Sequence, residues 1–255
     1  MRRSAIVLVA VCGLVLAGCQ SVSGLRGETS QQKARQAAEV HTELGQQYLQ
    51  RGDLQTALQK LLLAEKYDDS YAPEHTVLGV LYERIKDYPK AEREYKRAYA
   101  LEPTKGDVNN NLGAFLCRMG KVDEALPYFK RAVADPFYHT PDAAFTNAGT
   151  CLLKVGRLQP ALTEFQRALA LNPKNPDALY QTAVILHKQG DDFHARAFVQ
   201  RFDALGLASP DVLKLGYEVE TKLGDQEAAR SYARRLRDQF PDSEQARSLP
   251  SGSSP

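Results

Sequence analysis

The stretch NNLGAFLCRMGKVDEALPYFKRAVADP, residues 110–136, decides the fold because the chain contains a second version of it. Residues 147–173 read NAGTCLLKVGRLQPALTEFQRALALNP. Two glycines, an alanine, a phenylalanine and a further alanine recur in the same order and at matching offsets. Similarity at a fixed period predicts a stack of equivalent structural units rather than one undivided globular core.

The period fits the 34-residue tetratricopeptide pattern, which places small residues at positions 8, 20 and 27 and an aromatic residue at position 24. The pattern can be laid over six windows, namely 38–71, 72–105, 106–139, 142–175, 176–209 and 210–243. The first four windows match closely, and the weaker last two are typical of a terminal cap. We therefore predict an all-α tetratricopeptide superhelix, a solenoid of six helix-turn-helix repeats, over residues 38–243.

Each conserved position of the pattern has a physical role. Small residues let two helices approach closely, and the aromatic residue fills the space between them. A glycine at position 15 is expected to end the first helix in a left-handed conformation. Five windows have it, at Gly52, Gly120, Gly156, Gly190 and Gly224. The first helices are expected to line a concave groove.

The N-terminus has the pattern of an export signal. Residues 1–18 contain a basic pair, then an apolar run too short to span a bilayer, then Leu-Ala-Gly before Cys19. This resembles a bacterial lipoprotein signal, which implies that Cys19 is the lipid attachment site. Gln20, rather than an aspartate, follows it, and the sorting rule then implies the periplasmic face of the outer membrane. The alternative is an ordinary signal peptide with a chance cysteine.

The segments flanking the repeats are polar. Residues 19–37 are predicted to be a flexible lipid-anchored tether, and residues 244–255 a disordered tail. Removal of residues 1–18 takes away two arginines and no acids, which leaves 31 basic and 31 acidic side chains. A neutral mature chain has no global electrostatic signature of a nucleic-acid partner.

No catalytic constellation is recognisable. The nucleophile-elbow, metalloprotease and phosphate-loop motifs are missing from the sequence. His187 and His194 lie seven residues apart, but no cysteine or acid completes a metal-ligand spacing, so ordinary surface or inter-helix histidines are favoured. We expect no enzyme activity, metal, cofactor or small-molecule substrate, because solenoids work through extended binding surfaces.

Cys117 and Cys151 occupy neighbouring first helices, at positions 12 and 10 of their windows. An oxidising compartment would allow a disulfide bond between them. A disulfide requires Cα atoms within about 7 Å, which sequence does not reveal. Two buried free thiols are the alternative.

Two sets of polar residues are candidates for binding in the groove. Asn111, Asn147 and Gln181 share position 6, and three carboxamides in a row could donate to and accept from an extended peptide. Simple solvation of a wet groove is the alternative. Position 13 is mostly basic, and this is favoured to reflect cations complementing the dipole at each helix C-terminus.

Three consecutive leucines occur in the first repeat. Leu61 is the core position, and one helix face cannot bury all three, so Leu62 or Leu63 should face outward. An apolar surface near the lipid end suggests a partner-docking site. Contact with residues 31–37 would explain it equally well.

Residues 109–151 go beyond the generic repeat. The paired cysteines and the inserted Tyr-His-Thr-Pro between them resemble the type IV pilus biogenesis and stability lipoproteins, which are tetratricopeptide pilotins. That resemblance implies a partner, the pilus secretin, which the lipoprotein would help to reach the outer membrane and to assemble into its ring. That family also contains the two cysteines, which favours the disulfide over two free thiols.

Two other classes of function remain open. One is an adaptor lipoprotein for periplasmic peptidases or cell-wall enzymes. The other is a subunit of the machinery that assembles outer-membrane β-barrels. A co-purified hydrolase would favour the first, and loss of viability on deletion would favour the second.

Overall fold

The computed structural model describes residues 28–250, and every regular element in that range is helical. Twelve helices form six helix-turn-helix pairs, one for each predicted repeat. The first helices are α1 (Ser30–Arg51), α3 (Ala72–Arg84), α5 (Gly106–Arg118), α7 (Pro141–Lys154), α9 (Pro176–Lys188) and α11 (Pro210–Leu223). The second helices are α2 (Leu54–Tyr67), α4 (Tyr88–Leu101), α6 (Val122–Ala132), α8 (Leu158–Leu171), α10 (Asp192–Asp203) and α12 (Gln226–Gln239). The predicted all-α tetratricopeptide solenoid is confirmed.

The two helices of a repeat are held together by a small residue packed on an aromatic ring. A Cβ atom on Gly79 would lie 2.8 Å from the ring of Tyr95, and one on Gly149 would lie 2.8 Å from Phe165. Both rings are almost completely buried. Because real Cβ atoms do not approach so closely, position 8 must remain small for the helices to pack at this distance.

The turn between the two helices requires a left-handed residue. All five glycines predicted to end a first helix have positive φ angles. No atom lies within 4 Å of a Cβ built on any of them, so backbone conformation rather than space selects glycine there. The second repeat has Lys86 at this place, with φ 63°, and it is the sole non-glycine residue with positive φ in the described part of the chain.

The sixth repeat is more regular than its sequence indicated. A Cβ on Gly216 would lie 2.8 Å from the ring of Tyr232, which reproduces the contact between glycine and aromatic residue of the earlier repeats. Both residues stand one place early in the 210–243 window, so a fixed register misses them. The spacing between them, rather than their absolute position, preserves the contact.

The predicted tether is wrong for residues 30–37, because α1 begins at Ser30. Thr29 caps this helix: its side chain accepts a hydrogen bond from the backbone N–H of Gln32, whose own side chain accepts from Thr29. Arg35 then pairs with Asp68 at 2.7 Å and lies over the ring of Tyr71. These contacts fasten the start of α1 to the turn that follows α2.

The predicted disordered tail is wrong for residues 244–250. A short helix, α13 (Glu244–Arg247), follows α12 and packs against α11 and α12. Ala246 and Leu249 are buried, and Gln245 donates a hydrogen bond to Asp211 at 2.6 Å. This segment covers the last repeat and excludes water from the end of the core.

The core consists of two groups of buried side chains that meet at α7. Cys151 belongs to the group formed by the first four repeats, and Leu152 to the group that continues to α13. Helix α7 therefore joins the two halves of the solenoid.

Candidate protein-binding surfaces

The carboxamides predicted to line the groove are all half-buried, on α5, α7 and α9. Nδ2 of Asn147 donates to Oδ1 of Asn110 at 2.9 Å, a bond between neighbouring first helices that the sequence did not suggest. Asn111 and Gln181 make no side-chain hydrogen bond to another described residue. One of the three carboxamides is thus already hydrogen-bonded within the protein, and the role of all three in binding a partner stays a prediction.

Two basic residues at position 13 join adjacent repeats. Nη1 of Arg84 donates to the carbonyl oxygen of Leu49 at 2.6 Å. Arg118 makes two hydrogen bonds to Glu83, at 2.7 and 2.6 Å, and the Tyr95 hydroxyl donates to the same carboxylate at 2.8 Å. For this pair, specific bonds between repeats explain the basic row better than the helix dipole does.

The three leucines of α2 differ in exposure. Leu61 is fully buried, Leu63 is half-buried, and Leu62 is 44% exposed. Val40 on α1, which packs against α2, is also exposed. The first repeat therefore presents apolar side chains to solvent.

The N-terminal part of α1 does not cover Leu62. Arg35 in this part reaches the turn after α2, where it also donates to Ser70 at 3.2 Å. Leu62 stays exposed with residues 30–37 in place. Of the two explanations for the leucines, contact with residues 31–37 therefore does not hold for Leu62, and docking of a partner there stays a prediction.

Cys117 on α5 and Cys151 on α7 are buried and lie side by side. Their Cα atoms are 5.6 Å apart, and the structure joins the sulfur atoms in a disulfide. The bond links the third repeat to the fourth, on either side of the inserted residues. Whether the bond forms in the cell stays a prediction.

A cluster of titratable groups lies buried in the second repeat. Nδ1 of His75 contacts Glu94 at 3.0 Å and Glu74 at 3.4 Å, and Nε2 faces the carbonyl oxygen of Asp69 at 2.9 Å. Glu74 is fully buried, and neither of its carboxyl oxygens has a hydrogen-bond partner in the structure. Nothing in the sequence pattern marked this position as buried.

The surroundings shift the pKa of each group in this cluster. Burial raises the pKa of Glu74 to about 8. Burial alone would lower the pKa of His75, but the bonds to Glu94 and to the Asp69 carbonyl raise it overall. Burial likewise opposes ionisation of Glu94, yet the bonds from His75 and Arg93 hold its pKa below the usual range. The cluster is enclosed in the core, so it bears on stability rather than on substrate chemistry.

The remaining histidines flagged by spacing are engaged locally. His187 contacts Asp192, and His194 contacts Asp191, the cap of α10, at 2.8 Å. Within residues 28–250, no group of three or more metal-binding side chains is arranged to hold an ion. None of the helices in that range is long and apolar enough to cross a bilayer.

Comparison with known families matches the repeats directly. The tetratricopeptide repeat family matches residues 76–139 and 213–243, and the TPR repeat family matches residues 152–190. The chain therefore belongs to the tetratricopeptide repeat proteins, a class built for contact with other proteins.

Its relatives within that class include pilus proteins. The type IV pilus assembly protein PilF of Pseudomonas aeruginosa is 29% identical over 242 residues, which cover 94% of this chain and 95% of PilF. The crystal structure of PilW, a widely conserved type IV pilus biogenesis factor, shares 30% identity and covers 83% of this chain and 97% of PilW, with a TM-score of 0.75. A solved structure of Pseudomonas aeruginosa PilF gives 28% identity, 84% and 97% coverage and a TM-score of 0.77. The chain is a homologue of PilF and PilW.

Proposed function

We propose that this protein is an outer-membrane lipoprotein scaffold, a pilotin, that binds the type IV pilus secretin and promotes its localisation and multimerisation. Pilus biogenesis and twitching motility would then depend on it. The observation that carries the proposal is homology to PilF along nearly the whole of both chains. The shared solenoid of PilW and PilF supports it, because equivalent surfaces then occupy equivalent places.

The proposed anchor is Cys19, which lies outside the described residues together with the signal segment 1–18. Because α1 begins at Ser30, only a short stretch of chain separates Cys19 from the first repeat. Even a fully extended stretch of this length reaches at most roughly 40 Å, at about 3.3–3.6 Å per residue. An acylated Cys19 would therefore keep the first repeat close to the inner leaflet of the outer membrane.

The exposed apolar side chains of the first repeat are the proposed docking site for the secretin. Complete burial of one leucine by a partner contributes about 1.5–3 kcal/mol. Holding secretin subunits beside the membrane raises their effective concentration, so ring assembly does not require a tight individual contact. The scaffold supplies position and proximity and takes part in no covalent step.

The proposal is tested in a deletion strain that expresses wild-type protein, Cys19→Ala or Leu62→Glu. Secretin monomers and multimers are compared in separated inner and outer membranes. We expect multimers at the outer membrane with the wild-type protein, mislocalised or missing multimers with Cys19→Ala, and a several-fold lower multimer yield with Leu62→Glu. Leu62→Glu should keep the wild-type melting temperature, since exposed substitutions cost little.

Two control variants make the docking test specific. Leu171→Glu changes a leucine that is 55% exposed at the end of α8, far along the chain from the anchor, and should assemble rings normally. Asn111→Ala combined with Asn147→Ala tests the groove. If unlipidated protein still gives normal outer-membrane rings, the proposed delivery of the secretin by the lipid anchor is wrong. If rings form normally with Leu62→Glu but fail with the asparagine pair, the docking site is the groove.

A further inference from the structure

A cavity that is separate from the predicted groove opens between the ends of α4 and α6. It has a volume of about 600 Å³. Its lining is formed by the second helices of repeats two and three and by the loops after them, whereas groove residues belong to first helices. The lining includes Tyr99, Lys105, Arg131, Asp135 and Phe137.

The cavity exists because the third repeat departs from the pattern. Helix α6 has 11 residues, against 14 in α4 and in α8, and stops at Ala132. The loop that replaces its last turn is tied down by Asp135, whose carboxylate accepts from the backbone N–H of Gly106 at 2.7 Å and of Phe137 at 2.9 Å. A Cβ on Gly106 would lie 2.5 Å from Tyr138, so the loop also packs closely on the start of α5.

This loop presents an aromatic side chain to solvent. Phe137 is 78% exposed, the most exposed of the large apolar side chains in the described part of the chain. Beside it, the rings of Tyr99 and Tyr128 meet edge to face, with centroids 5.2 Å apart. An exposed phenylalanine on a fixed loop, next to a packed aromatic pair, is typical of a surface that buries an apolar group of a partner.

The cavity is also cationic. The guanidinium of Arg131 lies 5.2 Å from the ring centre of Tyr128 and 5.9 Å from that of Tyr99, and it forms no ion pair with a described residue. Lys105 likewise forms none. The one acid in the lining, Asp135, is occupied by two backbone N–H groups, which hold its pKa below the usual range. Lys105 is close enough to Asp135 for its charge to lower that pKa as well, so Arg131 is the cation of the lining that has no acidic partner among the described residues. Two cations and one acid leave the lining with a net positive charge.

From this combination we propose that the cavity binds an acidic peptide segment of a partner protein, one with an aromatic or large aliphatic side chain beside its carboxylates. Arg131, already oriented by two rings, would take a carboxylate through two N–H groups. Phe137 and Tyr99 would cover the apolar side chain. This site lies outside the groove and the leucine surface, and it does not depend on the proposed function.

The probe for this site is a fluorescein-labelled peptide, GSPFDESG, titrated against the full-length protein with its disulfide intact and followed by fluorescence anisotropy. We expect Arg131→Glu to weaken binding at least fivefold, because it reverses the charge that meets the carboxylate. The matched control is Lys130→Glu, which makes the same charge change one residue away on α6, outside the lining, and should leave binding unchanged. Phe137→Ala should weaken binding, whereas Phe193→Ala, which removes a ring on α10 that is 70% exposed, should not.

Several results would overturn the proposal. These are no binding by the wild-type protein, equal binding to the Arg131 and Lys130 variants, or equal binding of a peptide with Asn and Gln in place of its acids. A loss of binding with Asn111→Ala and Asn147→Ala would place the peptide in the groove instead. The protein could instead bind phosphatidylglycerol vesicles through Arg131 and fail to bind the peptide. That result would identify a membrane contact, and the peptide assignment would be wrong.

Discussion

The two junctions on either side of the third repeat are built differently. Between the second and third repeats, the chain crosses in the four residues 102–105, and ion pairs such as Arg118 with Glu83 and Lys121 with Glu92 join the repeats. Between the third and fourth repeats, the chain needs the eight residues 133–140. There the Cys117–Cys151 disulfide joins the first helices.

This difference indicates how a solenoid tolerates an irregular repeat. At the regular junction the acid of each ion pair is partly shielded from solvent, with Glu83 14% exposed and Glu92 25% exposed. At the irregular junction the ion pair between Arg157 and Asp123 is largely exposed and therefore contributes little. The covalent bond keeps α5 and α7 in contact where the loop no longer imposes the repeat spacing.

The largest effect is expected at the irregular junction. Cys117→Ala with Cys151→Ala should lower the free energy of unfolding by about 3–4 kcal/mol, because the bond closes a loop with a sequence separation of 34 residues. Urea unfolding of the double variant and of the wild-type protein measures the difference.

Reduced wild-type protein is the control for that comparison and should unfold like the double variant. Intact mass after alkylation without reductant reports the state of the cysteines in protein folded in the periplasm. Two alkylated thiols there would contradict the covalent junction.

At the regular junction, Glu83→Gln should cost about 2–3 kcal/mol, since it removes a charge that accepts hydrogen bonds from Arg118 and Tyr95. Asp123→Asn is the matched control at the irregular junction and should cost clearly less than Glu83→Gln, because Asp123 is 79% exposed. Thermal or urea unfolding measures both. Equal costs would show that the two junctions use polar contacts alike.

The third effect concerns pH. The unfolded chain releases the Glu74 proton near pH 4.5, but the folded protein keeps it to about pH 8. Because the folded state binds more protons in this window, stability should fall as pH rises from 5 to 8. His75, whose pKa is also raised, adds to the fall above pH 6.5.

Glu74→Gln should remove the larger part of this dependence. We expect the loss of stability between pH 5 and pH 8 to shrink by at least about 1 kcal/mol, since each pKa unit corresponds to about 1.4 kcal/mol. Urea unfolding at the two pH values measures it, with Glu92→Gln on α4 as the control, because its ion pairs lower the pKa of Glu92 instead of raising it. An unchanged pH dependence would mean that Glu74 ionises normally in the folded protein.

Much of the fold could be predicted because the repeat is defined by the spacing of residues within one pair of helices. The contact between Gly149 and Phe165 follows from sequence positions alone, as do the left-handed ends of the five first helices that are followed by glycine. The early start of α1 had a readable signal, since Thr29 and Gln32 have the spacing of a capping box. The pair Gly216 and Tyr232 was missed because both residues moved by one place and kept their separation.

The sequence by itself determined the helices and their pairing, because small and aromatic residues at fixed intervals allow one way for two helices to pack. Only the tertiary structure decided which side chains from different repeats meet. The rotation between successive repeats, which no local pattern specifies, sets the distance between Cys117 and Cys151 and the burial of Glu74. It also sets the hydrogen bonds from Arg118 to Glu83. The cavity beside Phe137 has the same origin: a shortened helix and a longer loop bring together residues whose spacing carries no sign of a site.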